Sequence, residues 1–232
     1  MKRMTFRTIA LVVVLSAAWQ TQAEDAKTPY PRMAPLDQYL MERNAEITLA
    51  RSAAPASISG DAEVMVLGRH GYETAVKGKN GFVCIVERSW MAPIDDPEFW
   101  NPKMRGPNCF NAPAARFNIP VDIKKTESVL AGRSGAEMAE DIKTALDKKE
   151  VPALEPGAMC YMMSKQGYLN DRAGHWHPHL MFLVPTTDAA AWGANLDGSP
   201  ILALEDHLER YTLFLVPIGK WSDGTPAHDD EH

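Results

Sequence analysis

Apolar residues Leu36, Tyr39, Leu40, Ile47 and Ala50 recur at helix-like spacing in "APLDQYLMERNAEITLARSA", which predicts a first helix over about 35–52. Pro55 and "SISGD" end it. The run "EVMVLGRHGYETAVKGKNGFVCIVER" changes to β-branched and alternating character and holds two or three strands, with Asn80-Gly81 a turn signal between Val76 and Phe82. Prolines then stand at 93, 97, 102, 107, 113 and 120, among Trp90, Phe99, Trp100 and Phe110. That mixture predicts a long ordered loop over 90–120, packed by its aromatics. Ser134 and Glu137 make a capping box, and Met138, Ile142, Ala145 and Leu146 form the apolar stripe of a second helix ending before Pro152. Three β-rich runs follow at 158–164, 179–185 and 211–217, with "TDAAAWG" and "LEDHLER" expected as short helices between the last two.

Helices in blocks apart from strands predict one α+β domain over 24–232, with a mainly antiparallel sheet of five to six strands and two main helices. This element order resembles the PAS- and profilin-like sensory and binding folds; the likeness is one of order and transfers no residues. Carboxylates at Glu42 and Glu46, four apart on the first helix, are expected to be solvated.

The ends change the picture. "MKRMTFRTIALVVVLSAAWQTQA" places Lys2, Arg3 and Arg7 before an apolar stretch from Ile9 to Ala18, with small residues Thr21 and Ala23 behind it. This is the order of a secretory signal, with cleavage expected after Ala23 and export to the periplasm or outside. Its apolar core is shorter than the roughly 20 residues of a permanent span, so no anchor is expected in the mature chain. Removing 23 of 232 residues leaves 209, with 21 Lys+Arg against 30 Asp+Glu, a charge of −9. That excess and the lack of a basic stripe argue against nucleic acid as a partner. The tail at 224–232, ending "HDDEH", is expected to be unordered.

Cysteines 84, 109 and 160 would meet an oxidising compartment. A Cys84–Cys109 bridge would contribute about 3 kcal/mol; three buried thiols are the other reading. Cys160, in "AMCYMMS", reads as part of a core strand, as do Met159, Met162 and Met163.

"NDRAGHWHPHLMFLVP" carries the candidate chemistry. If 175–184 is one strand, His175, His177 and His179 share a face. Neighbours two apart can chelate one zinc or copper ion. Positions four apart lie roughly 13 Å from each other, so the third would join only if the chain bends at Pro178. Asp171, His70 and His207 are the further ligands on offer. Without metal, the same segment is a polar loop end or a binding mouth, with Asp171 and Trp176 beside the imidazoles.

A second motif, Arg69-His70-Gly71 after an apolar strand, resembles the opening motif of the histidine phosphatases. The resemblance implies His70 as phosphate acceptor and Arg69 as phosphate holder. It spans about eight residues, and the chain departs from it directly, since the next segment reads as a hairpin partner strand. No serine-hydrolase, phosphate-loop or dinucleotide motif occurs. The expectation is an exported protein that binds a small ligand or a metal ion at H-x-H-x-H. A hydrolase, metal-dependent through His175 and His177 or a phosphatase through His70, is the alternative. Oligomeric state is left open.

Overall fold

The computed structural model describes residues 29–227 apart from Ala173 and His175. The signal-like segment, the last five residues of the acidic tail and His175 lie outside the described residues.

Strands β1 (Glu63–Gly68) and β2 (Gly71–Val76) form an antiparallel hairpin across the turn Arg69-His70. Gly71 takes φ of 116° there, a conformation that side chains rarely adopt. Strand β3 (Val83–Glu87) lies on the other side of β1 and runs parallel to it, so the Asn80-Gly81 turn serves a crossover between strands that do not pair. Strands β4 (Gly106–Phe110), β5 (Met159–Met162), β6 (His179–Pro185), β7 (Leu202–Asp206) and β8 (Tyr211–Pro217) complete one sheet, in the order β2-β1-β3-β4-β5-β6-β8-β7. All pairings except β1 with β3 are antiparallel.

The helices are α1 (Arg43–Arg51), α2 (Ala56–Ser59), α3 (Ala112–Leu130) and α4 (Gly135–Asp147). The α+β class holds, but eight strands and four helices among the described residues replace the five to six and two expected. The added elements are β4, β7, α2 and α3. The Pro-rich stretch is irregular only over 92–105, because β4 and the first turns of α3 take up its end. Pro113 sits in the first turn of α3, where a missing N–H costs nothing, and Asn111 caps the helix by accepting from the Ala114 N–H at 3.1 Å. "LEDHLER" forms the end of β7 and a turn instead of a helix.

The first helix also starts late. Glu42 caps it by accepting from the Ala45 N–H at 2.8 Å, and only a short 3-10 turn at Leu36–Gln38 precedes it. Glu46, expected in solvent, is fully buried instead. It accepts from the Arg88 guanidinium at 2.8 Å and from the Leu67 N–H at 3.1 Å, so each buried charge has its partner.

The two sheet faces are used differently. On one, Leu49 and Ala50 of α1 pack with Val64, Cys84, Val86 and Cys109. Cys84 and Cys109 stand directly opposite each other in β3 and β4, their sulfurs at bonding distance. On the other, Phe117 and Val121 of α3 and Ile142 of α4 pack on Ile85, Phe110 and Met181. Helix α3 rests chiefly on β2, β4 and β5. Toward the far edge the same face stays open, and Leu202 and Leu204 are 52 % and 61 % exposed. Among the described residues, no helix is long and apolar enough to cross a membrane.

Candidate functional site

Between α3, the 92–105 segment and the inner face of the sheet lies a cavity of about 370 Å3. The period of a strand decides what each strand sends into it. From β3 comes Glu87, from β4 Asn108 and Phe110, from β5 Cys160 and Met162, from β6 His179, Met181 and Leu183, from β8 Tyr211, Leu213 and Leu215. Helix α3 adds Asn118, Asp122 and Lys125, at i, i+4 and i+7, one stripe on its buried side. Ser89 and Trp176 come from the connecting segments, and Glu209 from the β7–β8 turn.

The polar groups are concentrated and incompletely paired. Ser89 Oγ, Asn108 Oδ1, Asn118 Oδ1, Asp122 Oδ2 and Trp176 Nε1 are buried with no hydrogen-bond partner among the described residues, and all five residues line this cavity. Each such group costs about 1–3 kcal/mol if nothing meets it. Five together rival the net stability of a whole domain, about 5–15 kcal/mol. Since nothing among the described residues meets them, water or a bound molecule is left to do so.

Charge follows the same pattern. Lys125 is ion-paired with Glu209, both about 5 % exposed, and donates to the Met91 carbonyl at 3.4 Å. Burial opposes the Lys125 charge, but the carboxylates of Glu209 and Asp122 outweigh it and push its pKa up to about 12. Glu87 accepts from Asn108 Nδ2 at 3.2 Å, yet burial pushes its carboxyl up to about 7. Asp122 is raised well above the usual carboxylate range, first by burial and then by the Glu87 charge. Burial likewise raises the Cys160 thiol, which keeps it protonated and inert.

The histidine segment divides. Trp176 and His179 line the cavity, whereas His177 is exposed and Asp171 lies outside the lining. Strand β6 begins only at His179, so the alternation expected over 175–184 does not apply to the first positions. The ring of His179 meets the carbonyl of His177, not its imidazole, at 2.8 Å, so Nδ1 carries the proton. Burial lowers the pKa of His179 and favours the neutral ring. Trp176 packs so closely on Gly167 that a Cβ there would fall 2.4 Å from the indole. Among the described residues, no three His, Cys, Asp or Glu side chains are grouped to hold a metal ion.

Asp171 has another place. Its carboxylate accepts from Tyr168 at 2.5 Å, Lys103 at 3.0 Å, Asn101 at 3.3 Å and Tyr30, and these bonds hold it well below the usual carboxylate range. Its own N–H donates to Glu98 at 2.9 Å. Asp171 thereby ties the 92–105 segment, the roof of the cavity, to the 168–174 loop and the N-terminal stretch. His70 and Arg69 sit exposed at the β1–β2 turn, with Arg69 paired to Asp37 at 2.6 Å. His207 is exposed beside Glu205.

Compared with known proteins, the chain matches no family model, no curated sequence and no solved structure. The geometry of the cavity is therefore what bears on function. Of its polar residues, only Trp176 and His179 stand out in the sequence. The spacing Asn118, Asp122, Lys125 was the available signal for the rest, legible only once a helix is assigned to 112–130.

Proposed function

We propose that this protein is an exported binding protein that takes a small organic molecule into the cavity beneath the 92–105 segment. One observation carries the reading: five buried polar atoms without partners among the described residues converge on one cavity, which elsewhere is lined mainly by Met, Leu and Phe. A cavity of about 370 Å3 with an apolar lining and a few convergent polar groups has the size and makeup of a small-molecule site. Trp176 and His179 belong to that site as wall and polar anchor; Asp171 supports its roof. The paired Cys84 and Cys109 fit an oxidising compartment, and so support export.

The probe N-phenyl-1-naphthylamine, fluorescent when buried among apolar groups, tests this. It is expected to bind at one saturable site per chain. Met181→Trp, which fills the cavity from β6, should abolish that site with an unchanged circular dichroism spectrum. A wild-type protein that does not bind the probe, or a variant that binds it equally, would contradict the reading.

A further inference from the structure

Resting on that reading, we propose that the molecule is a cationic amphiphile: an ammonium head seated between Glu87, Asp122 and Asn108, and an alkyl tail laid along the leucines of β8 and β7. The head follows from which atoms are unpaired. Asn108 spends its Nδ2 on Glu87, which fixes the amide's orientation and leaves Oδ1 as a bare acceptor. Asp122 Oδ2 is likewise unpartnered and becomes a second acceptor once a cation draws the carboxyl into its ionised form. The one ammonium already in the cavity, Lys125, is neutralised by Glu209. Glu87 and Asp122 both line the cavity and both resist ionisation, chiefly through burial; the Glu87 charge adds to this at Asp122, and Lys125 offsets it only in part at either. A head with N–H donors and positive charge satisfies the acceptors and relieves the repulsion. A carboxylate head would oppose ionisation of Glu87 and Asp122 further and has no donor for Asn108 Oδ1.

The tail follows from the sheet. Register places Met181 opposite Leu215 and Leu215 opposite Leu202; one step along, Leu183 stands opposite Leu213 and Leu213 opposite Leu204. These are two rows of three apolar side chains on the cavity face, running from the buried floor to the open edge. Five of the six line the cavity, and the outermost, Leu202, continues it onto the edge strand. Its floor is buried and its rim open, as a tail that enters from one side requires: Met181 is 8 % exposed and Leu204 61 %.

Calorimetric titration of the purified full chain, below micelle concentrations, separates the parts. Dodecylammonium should bind one to one, at least about tenfold tighter than either dodecanoate or butylammonium. The double variant Glu87→Gln/Asp122→Asn should lose the preference over dodecanoate while melting in one cooperative transition, which shows that it folds. Leu204→Gln should weaken dodecylammonium and leave butylammonium unchanged. Dodecanoate binding as tightly as dodecylammonium, or a preference that survives the double variant, overturns the cationic head. Butylammonium matching dodecylammonium overturns the tail. In each of these the naphthylamine site would persist, whereas loss of both that site and dodecylammonium binding means that the cavity reading itself fails.

Discussion

Glu87 shows what a single residue at this site does to the whole protein. Its carboxyl has an ordinary value of 4.5 and is pushed up to about 7 in the fold. A raised acid pKa means that the folded state holds its proton while the unfolded state has released it. The associated stability is fully present below about pH 4.5 and is lost as pH rises through 7. Glu87→Gln removes that loss. The variant should melt about 2–8 °C above the wild type at pH 8, corresponding to about 1–2 kcal/mol, and together with it at pH 4. Equal melting temperatures at both pH values would show that Glu87 ionises freely. Glu46 shows how little a carboxylate's own type reveals. With Glu42 it reads as one solvated pair on a helix, yet the residue four positions on is sealed beneath Arg88. Nothing local in the sequence marks Arg88, 42 positions away, as its partner.

At the scale of elements, strands with strong local patterns were legible. β1, β3, β5, β6 and β8 fall where β-branched and apolar runs stand, and α4 where its capping box stands. Helix α3 was not, for a physical reason. Its buried side carries Asn118, Asp122, Lys125, Thr126 and Ser128 among Phe117, Val121 and Val129, so polar positions interrupt the apolar stripe by which a helix is recognised. Pro120 within it adds a second false signal. The element hardest to read is the one that builds the site. The histidine segment misleads in the opposite sense: H-x-H-x-H is conspicuous, but only His179 of its described imidazoles lines the cavity. Asp171, chosen as a ligand group, holds the roof segment through Tyr30, Lys103, Asn101 and Glu98. Asp171→Ala should therefore speed amide hydrogen exchange across 92–105 several-fold and leave β4 and β5 protected. Unchanged exchange in that segment would show that the ties are incidental.

Over the whole molecule, one sheet does two jobs. Its first five strands, held between α1 on one face and α3 with α4 on the other, form a closed core braced by Cys84–Cys109. Its last three strands extend that surface past the helices as an apolar shelf. The cavity sits at the seam, where buried carboxyls from the closed half meet the leucines of the open one. The α+β class and the antiparallel sheet follow from the sequence; this division does not, because it depends on how far α3 reaches across strands distant in the chain. The account turns on Glu87 and Asp122 awaiting a cation. They are faced by Lys125 from α3, Glu209 from the β7–β8 turn, and Cys160, His179 and Tyr211 from the sheet. A bound ammonium should draw Glu87, which holds its proton at pH 6, into its ionised form, so binding must expel about one proton. The decisive measurement is calorimetric titration of dodecylammonium at pH 6 in two buffers of different ionisation enthalpy. Release of about one proton per molecule bound is the expected result; binding with no proton released, or with protons taken up, would contradict the account.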